Sequence, residues 1–329
     1  MYSTEMQMNC ILTNKYDIYF HLAAEEYFLK NKEEDYFLLW QSNPCVVVGK
    51  HQNAMAEINH SFLREHNIPV ARRLTGGGTV YHDTGNLNFT FIMNGEKGKL
   101  VDFQRHLKPV IEFLHSKDII ARAGTKNEIN VNGLKISGNA EHVFKNRVLH
   151  HGTLLYNTNL EFLRKSIQAK PGMYIDKAVQ SNRAEVVNLS EFLEKNFTLD
   201  KFKNEFYDFI KTCFDAAADY KINNSESEEI HTLQDAKYSK WEWIFGYSPT
   251  FELHKTIHHQ NHKIELYILI KNGLINQINL NSNSLNELAD SLSKSLQGKK
   301  FEYDIIEQLL DNKSKIAISL KNTILEGLF

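Results

Sequence analysis

Three cysteines in 329 residues, with no C-x-x-C pair among them, leave no disulfide framework and no structural zinc site to be built from Cys10, Cys45 and Cys213. Reduced thiols in a cytoplasmic compartment are the expectation. Charge of one sign is equally scarce. The 38 Lys and Arg against 40 Asp and Glu give a formal net charge of -2, so the basic excess of a general nucleic-acid binder is missing and no nucleic-acid partner is expected. The longest apolar runs, "YFLLW" and "CVVVG", fall far short of the roughly 18 residues a membrane helix needs. The opening "MYSTEMQMNCILTNKY" has neither a basic segment followed by an apolar run nor a small-residue cleavage site. No secretory signal and no membrane association are therefore expected. A hydrophobic content of 42% with 24% charged residues is ordinary for a globular protein. The length points to one large domain plus a smaller one.

Glycine is also thin, 16 in all, yet three stand together in "VARRLTGGGTVYHDTGNLNFTFIM" at 70–93. Each costs roughly 0.5 to 1 kcal/mol relative to alanine inside regular structure, so the bare backbone needs a reason. Around it the chain reads as mixed α/β. "FHLAAEEYFLKN" (20–31) has helical spacing, "YFLLW" and "CVVVGK" read as buried strands, and "NHSFLREHN" is a short helix ending before Pro69. "PVARR", "GTVYHD" and "LNFTFIM" follow as strands separated by turn signals. In the last, Leu87, Phe89, Phe91 and Met93 alternate with Asn88 and Thr90, giving a core face and a polar face. The triple glycine thus lies between strands, and neither a Walker loop nor a dinucleotide fingerprint fits. Two readings stand: a hairpin turn, or a nest of backbone N–H groups for an anion. Arg72 and Arg73, one strand step apart, point to opposite sides, so one of them can join such a site.

A second segment, "GTKNEINVNGLKISGNAEHVFKNRVLHHGTLLYN" at 124–157, carries a type I′ hairpin signal at Asn132-Gly133 that places Lys135 just inside the next strand. "KISGNAEHVF" and "RVLHHGTLLYN" read as two antiparallel strands joined at Lys145-Asn146. Gly138 and Gly152 interrupt them, which marks close approach by backbone or ligand. Lys135 by itself reads as a solvated strand lysine. His150 and His151, adjacent on a strand, face opposite ways and do not chelate together.

Taken in order, "RRLTGGGTVYHDTGNLNFTF", "KISGNA" and "HHGTLLYN" resemble the signature blocks of the lipoate-protein ligase A family. "YDIYFHLAAEEYF", "SNRAEVVNL" (181–189) and "WEWIFGYSPTF" (241–251) extend the resemblance over nearly the whole chain. It implies an α+β fold with a catalytic domain like that of biotin ligases and class II aminoacyl-tRNA synthetases: a mixed, mainly antiparallel sheet flanked by helices. It also implies a two-step reaction. Lipoate and ATP, with Mg²⁺, give lipoyl-AMP and pyrophosphate; the lipoyl group then passes to a lysine ε-amino group on apo-lipoyl domains of 2-oxoacid dehydrogenase complexes and the glycine cleavage H protein. By the same match, Arg73, Gly78, Thr79, Val80, Tyr81 and Lys135 bind ATP, with Gly76 and Gly77 shaping the loop. Lys135 also contacts lipoate and is catalytic. The family commonly has Asn-Asp ahead of this lysine; here Asn127-Glu128 stands there, with a shorter segment before Lys135, so no metal ligand is assigned. His82 and Asp83 fit the motif either as a hydrogen-bonded turn brace or as ligand contacts.

The resemblance and the composition shift place the boundary together. "KINNSESEEI" (221–230) reads as a surface loop, and aromatic density rises at "WEWIFGYSPTF". The expected domains are 1–246, adenylating, and 247–329, an accessory α+β unit. In the latter, "HKIELYILIKNGLINQINL" gives two strands about Asn272-Gly273, and "SLNELADSLSKSLQ" and "YDIIEQLLD" are amphipathic helices. Biotin ligases interleave arginines among their glycines, unlike "RRLTGGGTV". Octanoyl transferases and lipoyl amidotransferases use a cysteine that none of the three here matches in place. An octanoate-preferring ligase and an inactive lipoyl- or nucleotide-binding homologue remain as alternatives.

Overall fold

The protein is described from a computed structural model, over residues 7–95, 100–167, 173–181, 184–214, 216–260, 262–282, 286–312 and 318–329. Asn182 and Arg183 of the 181–189 block lie outside the described residues.

An eight-stranded sheet forms the main body, in the order Ala218–Asp219, Met8–Leu12, Asp35–Trp40, Asn86–Asn94, Arg147–Leu155, Leu134–Phe144, Glu128–Val131 and Ala121–Ala123. Met8–Leu12 is parallel to both its neighbours, and every other pairing is antiparallel. This is the mixed, mainly antiparallel sheet that the resemblance implied. Phe89 and Phe91 of the central strand pack with Phe37 and with Phe113, Phe202 and Phe206 of helices Phe103–His115 and Leu199–Thr212.

The other face of the central strand is polar but not solvated, contrary to the simple alternating pattern. Every residue from Asn86 to Met93 is buried. Helix Ile18–Asn31 covers that face, and its Glu25 accepts a 2.6 Å hydrogen bond from the Thr90 hydroxyl. The helix is buried nearly all round because it is sandwiched: Ile230 and Tyr238 close over its outer side. Ile230 comes from the stretch read as a surface loop, 221–230. Residues 224–233 instead form a helix, Asn224–Leu233, started by a capping box in which the Asn223 side chain caps the Glu226 N–H and Glu226 returns the bond. The N-x-x-E spacing that favours such a start was present in "NNSE" (223–226); the charge density obscured it.

A second, three-stranded sheet settles the geometry of the triple glycine. Val70–Arg72 and Val80–His82 do not pair with each other. Both flank Cys45–Val48, the first parallel and the second antiparallel. The glycine segment therefore crosses over a middle strand, and a tight hairpin is ruled out. The hairpin at Asn132-Gly133 does form, with φ of 51° and 82°, as does Asn272-Gly273, with φ of 50° and 71°; positive φ at both central residues is what a type I′ turn requires.

Beyond Ser248 the chain builds a four-stranded sheet, Tyr174–Asp176, Phe251–His259, His262–Lys271 and Leu274–Ser282. Helices Asn286–Leu296, Tyr303–Asp311 and Ile318–Leu328 accompany it, the first two matching the amphipathic patterns. Leu253, Ile268, Ile306 and Leu325 lie in its core, together with Met55 and Met173 from the earlier chain. Strand Phe251–His259 was not read from sequence, because its histidines at 254, 258 and 259 mask the buried alternation Phe251, Leu253, Ile257. Strand Tyr174–Asp176 also belongs to the earlier chain and pairs with 251–253.

Arg72 joins the two parts. Fully buried, it donates to the carbonyls of Gly49, Lys50, Gln52, Trp243 and Ile244 and to the Ser248 hydroxyl, at 2.8 to 3.0 Å. Its neighbour Arg73 turns to the glycine segment. No helix among the described residues is long and apolar enough to cross a membrane.

Candidate active site

A cavity of about 650 Å³ lies between the glycine segment, strands Leu134–Phe144 and Arg147–Leu155, and Ser181, Ala184 and Glu185. Arg73, Gly76, Gly77, Gly78, Thr79, Val80 and Lys135 all line it. Tyr81 does not: its side chain packs among Val46, Val48, Ala54 and Leu63 on the far side of the small sheet. Five of the six residues expected to bind nucleotide are thus brought together, and Tyr81 stands apart as core.

Arg73 is buried, and its guanidinium is turned on the loop. It donates to Gly76 O and Gly78 O at 2.7 Å each, to Val47 O at 3.1 Å and to the Thr75 hydroxyl at 2.8 Å. Burial pulls its pKa down to about 10, with Glu25 opposing. Gly77 has φ of 83°, and a Cβ there would stand 3.2 Å from Arg73 Nη2. The triple glycine is bare in part because its carbonyls curl around this arginine.

The Thr79 N–H donates to Ser181 Oγ at 2.8 Å, and the Thr79 hydroxyl donates to Gln52 Oε1 at 2.9 Å. Ser181 in turn donates to the Glu57 carboxylate. Gln52, Glu57 and Ser181 were not singled out from sequence. Gln52 and Glu57 come from one segment and Ser181 from the distant 181–189 block, and no local pattern joins them.

Lys135 is partly buried and is no solvated edge residue. Its N–H donates to Glu185 O at 2.9 Å, and its carbonyl accepts from Val187 N at 3.1 Å. Burial lowers its pKa, Glu128 opposes that shift and Arg73 adds to it. A Cβ on Gly138 would stand 3.2 Å from its Nζ, so that glycine makes room for the amine. Glu128 lines the same cavity. Burial pushes its carboxyl up, but hydrogen bonds from backbone N–H groups and Asn130, with Lys135 nearby, hold it below the usual range.

Asp83 is a brace: its two oxygens accept from Gly85 N at 3.0 Å and Asn159 N at 2.8 Å. His82 lines the cavity, is hydrogen-bonded to Asn86 at 2.8 Å, and is held neutral by burial, its pKa pulled down to about 3.

His150 and His151 do part company. His150 and His106, stacked with centroids 4.7 Å apart, both point Nδ1 at Glu141 Oε1, at 2.9 and 3.0 Å. Among the described residues, these three form the one group of such side chains close enough to share a metal ion. Burial works against the Glu141 charge, yet the two imidazoles outweigh it and its pKa falls to about 2; burial takes His150 down to about 4. The group is an ionised carboxylate braced by two imidazoles, whose Nδ1 atoms face it as donors.

The sequence pattern of the lipoyl protein ligase A/B catalytic domain matches residues 17–211, more than half the chain, and that of the bacterial lipoate protein ligase C-terminus matches 248–326. The chain belongs to the lipoate-protein ligase family. The lipoate-protein ligase LplJ of Bacillus subtilis is 33% identical over 297 residues, covering 88% of this chain and 89% of that one. The crystal structure of Plasmodium falciparum LipL1 in complex with lipoate superposes with a TM-score of 0.60 at 27% identity, covering 97% of both chains. A lipoate-protein ligase A bound with ATP gives a TM-score of 0.63 at 24% identity, over 74% of this chain and all of that one; it speaks to the fold. Unlike the cysteine-dependent acyltransferases of similar chemistry, this ligase has no cysteine at its cavity among the described residues. The Cys10 and Cys45 thiols are buried elsewhere, and burial pushes both up to about 12.

Proposed function

We propose that the protein activates lipoate with ATP to lipoyl-AMP, releasing pyrophosphate, and transfers the lipoyl group to a lysine of an apo-lipoyl domain. The observation that carries this reading is one cavity in which a partly buried lysine shares the space with a glycine loop gripped by a buried arginine. Joining two anions, a carboxylate and an α-phosphate, needs fixed positive charge and close backbone donors where they meet. Lys135 supplies the charge. Its ammonium steadies the lipoate carboxylate and the phosphate oxygens during adenylation, and the carbonyl oxygen when the acceptor amine attacks. Gly78, Thr79 and Val80 offer backbone to the nucleotide, while Tyr81 contributes from the core side only. Arg73 acts on the nucleotide mainly through the loop it holds.

A divalent cation fits this donor set. Glu128 is a carboxylate kept ionised at the cavity wall, a hard oxygen ligand of the kind Mg²⁺ prefers. Glu128 is the residue that would hold a phosphate-bound Mg²⁺, which supplies charge neutralisation there. The acceptors are lipoyl domains of 2-oxoacid dehydrogenase complexes and the glycine cleavage H protein, and the setting is the cytoplasm. The same reading divides the chain at 246/247, with the accessory unit anchored through Arg72 and strand Tyr174–Asp176.

The test is the mass of an apo-lipoyl domain incubated with the protein, lipoate, ATP and Mg²⁺. A lipoyl mass gain that disappears on omitting ATP or adding EDTA is expected. A gain independent of ATP would overturn the adenylate route.

A further inference from the structure

A chain of hydrogen bonds runs from the interior of the main body to Arg73 and the glycine loop; three of its members, Glu25, His151 and Thr75, are not among the residues expected to bind nucleotide, and of these His151 lines the cavity. Glu25, on helix Ile18–Asn31 and buried, has its carboxylate 3.1 Å from His151 Nδ1. His151 Nε2 lies 2.8 Å from the Thr75 hydroxyl. Thr75 Oγ1 accepts from Arg73 Nε at 2.8 Å, and Arg73 holds Gly76 and Gly78. We propose that Glu25, His151 and Thr75 are positioning residues for adenylation, fixing Arg73 and through it the glycine loop against Lys135.

The proton directions make the chain read one way. Arg73 Nε can only donate, so Thr75 oxygen is its acceptor and the Thr75 proton is directed at His151 Nε2. His151 then carries its ring proton on Nδ1 and donates to Glu25. Any other tautomer sets two donors or two acceptors against each other. Glu25 is also the acidic group whose charge faces the buried Arg73 cation, so the chain places a counter-charge for Arg73 two relays away from the nucleotide. This leaves the guanidinium oriented by neutral partners at the loop itself. Thr90, which donates to Glu25, in turn accepts from Trp40 Nε1 at 3.2 Å. The carboxylate thus has its own fixed donors.

Hydroxyl, imidazole and carboxylate in this order also resemble a nucleophilic triad. Thr75 is excluded from that role: it is fully buried, does not line the cavity, and its oxygen is already engaged by Arg73. Its function is to hold. The carbonyls that Arg73 grips belong to the glycines that line the cavity, so tilting the guanidinium displaces the loop, and a misplacement of about 1 Å can cost about 10²-fold in rate.

This inference rests on the proposed adenylation, and the test separates the two. Lipoate-dependent ATP–pyrophosphate exchange is measured for the full-length wild type, Thr75→Val, Thr75→Ser and Glu25→Gln, with kcat and KM for ATP per folded molecule and thermal unfolding alongside. If the wild type shows no exchange, the adenylation reading itself fails. With an active wild type, Thr75→Val, which keeps the shape but not the hydroxyl, is expected to lose about 10- to 100-fold in kcat. Thr75→Ser should recover to within about three-fold, since it restores the bond to His151. Glu25→Gln, which keeps an acceptor but removes the counter-charge, should fall between them. A Thr75→Val protein with wild-type kcat and KM, or a Thr75→Ser protein no better than Thr75→Val, overturns the proposal. Should Glu25→Gln fail to fold, the threonine pair still decides.

Discussion

Replacing Lys135 by methionine should separate function from stability. The side chain is partly buried on strand Leu134–Phe144, with Arg73 raising and Glu128 relieving the cost of its charge, and burial dominates, so its pKa is lowered. For a lysine the sign is clear. Below its folded pKa the native state holds a cation in a poorly solvated place, and as pH rises through that value toward about 10.4 the lysine neutralises first in the folded state and stability increases. A methionine side chain would carry no such cost at any pH, while filling similar space. Lys135→Met is therefore expected to melt no lower than wild type at pH 7.5. Catalysis should move the other way. Losing one preorganised charged donor at a developing anion costs about 10²- to 10³-fold, or roughly 2.7 to 4 kcal/mol of transition-state stabilisation. Lys135→Arg should not rescue, because a planar fork cannot stand where a compact ammonium meets both carboxylate and phosphate. The assay is single-turnover formation of lipoyl-adenylate, and separately transfer from supplied lipoyl-adenylate, on folded variants. Adenylation by Lys135→Met near the wild-type rate would refute the reasoning and return Lys135 to an ordinary strand lysine.

Arg72→Met should destabilise by at least about 3 kcal/mol in urea, since six hydrogen bonds, four of them buried, lose their donor; a loss under about 1 kcal/mol would contradict its anchoring role. Burial holds His21, His82 and His150 neutral, with pKa values near 4, 3 and 4. The unfolded chain binds their protons below about 6.5, so stability should fall as pH drops from 6.5 toward 4, by up to about 4 kcal/mol per pH unit. Equal unfolding free energies at pH 7 and 5 would count against it. Asn223→Ala removes the capping box of helix Asn224–Leu233 and should cost about 1 kcal/mol, read by chemical denaturation.

What sequence could and could not disclose follows from range. The glycine loop, the Asn132-Gly133 and Asn272-Gly273 turns and Lys135 are local signals, and each lies where its pattern placed it. The loop's own architecture was not legible, because whether Val70–Arg72 and Val80–His82 pair together or around Cys45–Val48 depends on a strand more than twenty residues earlier. Tyr81 looked like part of a contiguous nucleotide segment; strand alternation sends its side chain to the opposite face from Val80. Glu25 and His151 are 126 residues apart in sequence, and on their own they pass for an interior helix residue and half of a His-His pair. Residues 221–230 were misread because polar, charged residues suit a solvent-facing helix as well as a loop, and within helix Asn224–Leu233 the buried side is marked by Ile230 and by a charged residue, Glu226.

The central claim is that the cavity makes an acyl-adenylate from lipoate. ATP–pyrophosphate exchange with lipoate, octanoate and biotin run side by side tests it most directly. Lipoate is predicted to support exchange best, and octanoate more weakly, since an apolar pocket separates related chains by only about 1 to 3 kcal/mol. Biotin should support none. Exchange driven by biotin and not by lipoate would contradict the account.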